Sequence, residues 1–308
     1  MRKLTLILLL SICFASGCNV ISARFYNSRG LQLYDTGHYK EALSNFDKAI
    51  SLHPRFAEAY TNRGLVYTAL NEFDKAIADH DQAIIIKPSL SIAFNNRGYV
   101  FSLKHDYANA IIDFNKALAL NPRSAMAYCN RGLSYYHQGE LEKALGDYNQ
   151  SIRFDPKLAI VWSNRGLVYY DQAEFEKALN DFNQALVLNP KLASGYTNRG
   201  LTFYSKKQFA QALNDLNEAI RLAPRDHYAF QTRGMTHEEL GDIDAALKDF
   251  EAVIEIEPGS IDAHFERGIC LKKKGDKALA AQEFHWVADN ARVPQNREQA
   301  NAYLRQLR

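Results

Sequence analysis

Cysteine, unbalanced charge and long apolar runs are all scarce in this chain, and each scarcity removes a class of protein. There are 4 cysteines in 308 residues, so neither a disulfide framework nor a paired-cysteine metal site is available. Cys13 lies in the first apolar run. Cys129 and Cys270 fall four sequence repeats apart; helices stack about 8–10 Å from one another, which keeps this pair far beyond the roughly 7 Å that a disulfide spans. No internal disulfide is expected, and each thiol is expected to be packed or groove-lining rather than a redox site. A formal net charge of +2, with no basic run longer than Lys272-Lys273-Lys274, excludes an electrostatic nucleic-acid partner, and the three lysines read as a solvated helix face. The 9 histidines are scattered, and His237-Glu238-Glu239 lacks a second histidine at metalloprotease spacing. No phosphate loop or nucleophile elbow occurs. The chain is read as a non-enzyme with no metal and no cofactor. Its longest apolar run, Leu4 to about Ala15, is too short for the roughly 20 residues that a spanning helix needs.

That run has a different meaning in context. Arg2 and Lys3, the apolar stretch and the small residues Ala15-Ser16-Gly17 stand in the order of a secretory signal peptide, residues 1–17. The tetrad Ala15-Ser16-Gly17-Cys18 resembles a bacterial lipobox, with alanine where leucine is commoner. The resemblance implies that Cys18 becomes the mature N-terminus and is lipidated with acyl chains such as palmitate, residues 18–22 forming the anchored cysteine and a short tether. Several chains hold a protein on a leaflet, since each buried methylene contributes about 0.8 kcal/mol. Asn19, where inner-membrane lipoproteins tend to carry aspartate, points under the same resemblance to the outer membrane, facing the periplasm. Ordinary cleavage after Gly17, leaving a soluble periplasmic or secreted protein, is the alternative.

From Ala23 onward the chain repeats. Gly30, Gly64, Gly98, Gly132, Gly166, Gly200, Gly234 and Gly268 are spaced by 34 residues without an insertion. An alanine follows each glycine by twelve residues, an aromatic precedes all but the last by four, and a proline closes the first seven units, from Pro54 to Pro258. A fixed period of this size means a solenoid. In the fifth unit Trp162, Gly166 and Tyr169 fall at helical spacing, a break follows near Ala173-Glu174, and Phe175, Ala178, Leu179, Phe182, Ala185 and Leu186 form a second apolar face with 3.6 periodicity. Each unit is therefore two amphipathic helices. One pair cannot bury its own apolar face, so the units depend on their neighbours and the open end needs a cover. Ala300, Tyr303, Leu304 and Leu307 make one narrow apolar stripe on an otherwise polar segment, read as a capping helix over 295–308.

These columns resemble the tetratricopeptide repeat (TPR). The resemblance implies an all-α fold, a right-handed α-solenoid superhelix of eight helix-turn-helix repeats over 23–294 with a C-terminal capping helix.

Three columns bear on mechanism. Immediately before every glycine stands an arginine, including Arg63, Arg97, Arg131 and Arg165, and sixteen residues beyond each stands a carboxylate in helix B, including Asp79, Asp113, Asp147 and Asp181; only Arg29 faces an asparagine, Asn45. A paired ladder between helices is the simpler account of this column than a cationic groove, because a repeated, partly buried guanidinium needs a partner. Before the arginines come Asn62, Asn96, Asn130, Asn164 and Asn198. A row of primary amides can hydrogen-bond the backbone of an extended peptide or bond neighbouring helices. The row is similar to the asparagine ladder on the inner TPR surface of O-linked N-acetylglucosamine transferase, which implies peptide binding. In this family helix A faces the concave side, so Leu65, Tyr99 and Leu133 with Tyr136, Tyr170 and Tyr204 are expected to line an apolar, aromatic groove suited to a short linear motif. Chaperone-binding TPRs use lysine and asparagine where Asn27 and Leu31 stand, which disfavours a chaperone-tail clamp.

The expected role is a lipid-anchored cell-envelope scaffold or adaptor that binds an extended protein segment in its groove. Similar families include TPR lipoproteins that serve peptidoglycan hydrolases and pilotin-type proteins that assemble secretin pores. The alternative is a self-assembling structural protein with an unoccupied groove.

Overall fold

The computed structural model describes residues 2–307, with side chains from Asn19 onward. The expected signal peptide and the expected acyl site at Cys18 lie outside the described side chains. Among the described residues there are seventeen helices and no strand, the all-α class read from the sequence. The chain divides into two compact units, Met1–Asp155 and Pro156–Arg308.

The first unit contains α1 (Arg2–Asp35), α2 (Tyr39–Leu52), α3 (Ala57–Ala69), α4 (Phe73–Ile86), α5 (Ser91–Leu103), α6 (Tyr107–Leu120), α7 (Ala125–His137) and α8 (Leu141–Phe154). The second contains α9 (Ala159–Asp171), α10 (Phe175–Leu188), α11 (Ala193–Ser205), α12 (Phe209–Leu222), α13 (His227–Glu239), α14 (Ile243–Ile256), α15 (Ile261–Lys274), α16 (Lys277–Asn290) and α17 (Pro294–Leu307). Odd-numbered helices up to α15 are the A helices of the repeats, and even-numbered ones are the B helices. Among the described residues no helix is long and apolar enough to cross a membrane.

Two turns make the pattern. Helix A ends in a left-handed residue in every repeat: Gly37, Gly139, Gly241 and Gly275, but also Asn71, His105, Ala173 and Lys207, the last four at φ of 60°, 60°, 59° and 57°. At the Ala173 turn Glu174 N–H reaches back to Tyr169 C=O at 2.8 Å and Ala173 N–H to Tyr170 C=O at 2.9 Å, closing the last carbonyls of α9. Helix B ends just ahead of a proline, as α10 does at Leu188 before Asn189-Pro190, because proline cannot donate to the helical ladder.

Within each unit the core lies between the two helices of each repeat and between neighbouring repeats. The eight alanines twelve residues beyond the glycines are all fully buried. Sixteen residues beyond each glycine a large side chain of helix B lies on the glycine itself; a Cβ at Gly166 would stand 2.7 Å from the Phe182 ring. This column reads Phe46, His80, Phe114, Tyr148, Phe182, Leu216, Phe250 and Phe284, all fully buried. His80 and Tyr148 put polar atoms into it: both His80 ring nitrogens and the Tyr148 hydroxyl are buried with no hydrogen-bond partner. Burial pushes the His80 ring down to about 3 and keeps it neutral.

At the C-terminal end α17 lays Ala300, Tyr303, Leu304 and Leu307 against Ala280, Phe284 and Val287 of α16. The Tyr303 ring stacks on Phe284 at 4.9 Å between centroids and meets Phe265 edge-on at 5.4 Å.

Candidate functional site

The arginine column forms the seam between A and B helices. Arg63 donates from Nε and one terminal nitrogen to both carboxylate oxygens of Asp79, at 2.8 and 2.6 Å, and from its other terminal nitrogen to Asp47 of the preceding helix B at 2.6 Å. Arg97 does the same with Asp113 and Asp81, and Arg131 with Asp147 and Asn115. In the second unit Arg165 is held bidentately by Asp181, Arg199 by Asp215 and Arg233 by Asp249, while Arg267 bonds Glu283. Within the first unit each of these arginines thus ties helix A to its own helix B and to the helix B before it. The aromatic three residues earlier lies against the guanidinium, as Trp162 does with Arg165 at 4.9 Å. Hydrogen bonds that it donates to Asp79 hold the Arg63 guanidinium above its ordinary value, and burial pushes the Asp79 carboxyl up against that attraction. From Arg63 to Arg233 these side chains are mostly buried and mutually satisfied, which leaves this stretch of the column unsuited to an anionic ligand.

The last repeat departs from the pattern. His264 replaces the column aromatic, stacks on Trp286 at 3.6 Å and meets Glu283 through Nδ1 at 2.6 Å, so Glu283 serves both His264 and Arg267.

The other face of the A helices is different. In each unit successive A helices touch one another, α1 with α3, α5 and α7 in series and α9 with α11, α13 and α15 in series, whereas the B helices do not pack on one another. A helices therefore line the inner side of each unit. The asparagine column lies here. Asn62 donates through Nδ2 to Asn27 Oδ1 at 3.0 Å, Asn130 to Asn95 Oδ1 at 3.2 Å and Asn198 to Ser163 Oγ at 3.3 Å. Each of these amides bonds the A helix before it, which leaves a second N–H and the amide oxygen of a half-buried side chain. Asn96 departs from its expected place as an open groove donor: it is 8% exposed, accepts from Asn95 at 3.2 Å, and its Nδ2 lies buried without a partner. Asn164 is half-buried on α9.

The expected aromatics divide in the same way. Tyr99 is well exposed on α5. Tyr136 is half-buried on α7 beside His137. In the second unit the Tyr170 hydroxyl and Ser205 Oγ are 2.9 Å apart, and Tyr204 packs on Phe209. Burial first, then Glu239, Glu238 and Glu266, push the Tyr204 hydroxyl up, which places it beside a charged part of the inner face. There Lys273 bonds Glu238 at 2.8 Å, and burial with Glu238 and Asp262 pushes the Glu266 carboxyl up to about 7.

The sequence reading missed one column. Four residues before the asparagine column, hence one turn along the same face, stand Ile92 and Met126 in the first unit and Ile160 and, ahead of Thr232, Tyr228 in the second, all more than a third exposed. Their 34-residue spacing was a visible signal, but Ser194 interrupts it and Arg24, Glu58 and Asp262 occupy its ends. In the first unit Ile92, Met126, Tyr99 and Leu103 are exposed on α5 and α7, on the face that carries the half-buried amides, while α3 brings Glu58, paired with Lys87, to the same column.

Cys129 and Cys270 are buried and not joined in a disulfide, and burial pushes Cys270 up to about 12, which makes it inert. Among the described residues no group of three or more His, Cys, Asp or Glu side chains is placed to hold a metal ion.

A stack of helix pairs with a self-satisfied seam and a partly open inner face defines a repeat scaffold for protein interaction. Family matches agree: "TPR repeat" covers residues 30–71, 103–139 and 132–173, and two forms of "Tetratricopeptide repeat" cover 57–90 with 159–192 and 204–265. The chain belongs to the tetratricopeptide-repeat family. No curated protein sequence matches it. Among solved structures it is similar to a chain of the APC/C hetero-tetramer Cut9–Hcn1 at 18% identity and TM-score 0.74, covering 80% of this chain and 48% of that one. It is also similar to PilF of Pseudomonas aeruginosa, at 22% identity and TM-score 0.59 over 67% and 94% of the two chains. A tetratricopeptide repeat protein from Parabacteroides merdae gives 20% identity and TM-score 0.60 over 82% and 98%. The protein thus spans about half the length of the Cut9–Hcn1 chain, and at these identities the likenesses show the fold alone.

Proposed function

We propose that the protein is a lipid-anchored cell-envelope adaptor that binds an extended protein segment on the inner face of its A helices. Cys18 supplies the anchor, and the outer membrane facing the periplasm is the proposed address. The observation that carries the binding part is the inner face of the first unit, where Ile92, Met126, Tyr99 and Leu103 are exposed beside amides that keep unused donors. Apolar anchors with backbone-reading amides suit a short segment with large apolar side chains and no requirement for charge. Because Asn96 is buried, the apolar side chains carry most of the contact and Asn62 and Asn130 fix the backbone.

The test is photocrosslinking in the envelope from a benzoylphenylalanine at position 99, with mass spectrometry to identify both partner and crosslinked segment. Parallel samples carry Ile92→Ser with Met126→Ser, or Asn96→Ala, Asn130→Ala and Asn164→Ala together. A single partner segment lost with the first pair, while the circular dichroism melt is unchanged, supports the proposal. Equal capture by parent and variants sinks the groove reading.

A further inference from the structure

We propose that the N-terminal end face of repeat 1 is a second membrane contact, lying against anionic lipid beside the acyl anchor. The proposal rests on the reading of Cys18 for its address, but the surface itself is read from α1 and α2.

Within each unit, the A-helix face turned toward the preceding repeat carries a small residue where the helices approach. Ala59, Ala93 and Ala127 hold that position in the first unit, Gly195, Ala229 and Ala263 in the second, and all are buried. Repeat 1 has Phe25 there, 60% exposed, with Ile21 one turn earlier at 71%. Two turns along, where Val66 and Val100 are fully buried, repeat 1 has the exposed Gln32. A phenyl ring at the point of closest approach is not shaped to receive another helix as the interior repeats do.

The charge pattern on the same face is also open. Arg29 is the first arginine of the seam and is exposed; Asn45 stands where the other repeats place a carboxylate, and its amide donates to Glu41 C=O at 2.8 Å instead. No ion pair is formed by Arg29 among the described residues. Beside it lies an open cleft of 630 Å³ that Lys48, Ser44 and Ser51 also line. The one carboxylate at its edge, Asp47, is held by Arg63. Phe25 meets Tyr26 edge-on at 5.5 Å, and Tyr26 lines the cleft with the two unpaired cations and the Ser44 hydroxyl, so apolar rings beside cations match the boundary between acyl chains and anionic headgroups. Two such faces set against each other would oppose Arg29 to Arg29, so a second copy is the poorer occupant. Ile21 and Phe25 follow Cys18 in the sequence by only three and seven residues, so an acylated Cys18 would hold this end of repeat 1 close to the leaflet.

The test uses the full chain carrying Phe25→Trp, compared with its parent, whose Trp162 and Trp286 give the background. Vesicles of phosphatidylethanolamine and phosphatidylglycerol, with brominated acyl chains, report depth by quenching. Quenching of Trp at position 25 above background is expected, and Arg29→Gln and Lys48→Gln are each expected to lower vesicle partitioning about fivefold. An unquenched position 25 on vesicles that retain the protein, or partitioning that ignores both substitutions, overturns the proposal. So does a concentration-dependent dimer in solution that Phe25→Ser abolishes, since the occupant is then a second copy. Metabolic labelling with an alkyne palmitate, with Cys18→Ala as control, separates the two readings: no label with quenching intact removes the anchor and keeps the surface, whereas label without quenching does the reverse.

Discussion

Asn130 and Arg131 are neighbours on α7 and recur with the same period, yet one belongs to the inner face and the other to the seam. Arg131 is satisfied on both sides, by Asp147 and Asn115, and its aromatic neighbour Tyr128 lies against the guanidinium. Asn130 gives one hydrogen to the helix before it and stays half-buried. A regular column in a repeat protein is therefore not itself a sign of function; what separates the two is whether the column closes on itself.

The largest effect should come from opening the seam. Asp147→Ala leaves a mostly buried guanidinium without its bidentate partner and is expected to destabilise the fold by about 3–5 kcal/mol in urea unfolding. A loss below about 1 kcal/mol would mean that the ladder is not what holds the helices together.

The core column beside the seam has a defect that can be repaired. His80→Phe removes two buried nitrogens with no partner and restores the column residue, an expected gain of about 1–3 kcal/mol. It should also change the acid response. The ring is near 6.5 in the unfolded chain and about 3 in the folded one, so the unfolded chain binds more protons between those values and stability falls as pH drops through that window. The His80→Phe melt should be flatter there than the parent's; equal slopes would show that other groups set the acid sensitivity.

The turn between the two faces offers a smaller change. Ala173 adopts φ 59°, which costs an L-residue about 1 kcal/mol relative to glycine, so Ala173→Gly is expected to raise stability by somewhat less than that. Thermal unfolding checks it, and a lowered midpoint would show that the alanine side chain contributes packing. A small stability effect belongs to the inner face. Ile92→Ser with Met126→Ser should cost no more than about 1 kcal/mol, because about half of each side chain is already in water, while capture of the partner segment falls about tenfold. A large loss of stability would move these residues from the binding surface to the core.

The period of 34, the break at Ala173-Glu174 and the apolar faces on either side of it are local facts, and α9 and α10 lie where that spacing put two helices. Pairing was legible for the arginines, since opposite charges held at a constant offset of sixteen come side by side as soon as helix A folds back on helix B. The amides were not decidable in that way: Asn62, Asn96 and Asn130 look alike in the chain, and only the packing of Asn95 between Asn96 and Asn130 buries one and leaves another half-open.

By itself, then, the sequence determined the helix pairs, their repeat and the charged seam, because helical periodicity and charge complementarity act over a few residues or one fixed offset. Tertiary structure decided which side of helix A stays in water, that Ile92 and Met126 belong to it, that His80 is sealed in the core, and that Phe25 stands uncovered. Exposure is a property of what the next helix covers, and no single helix carries that information.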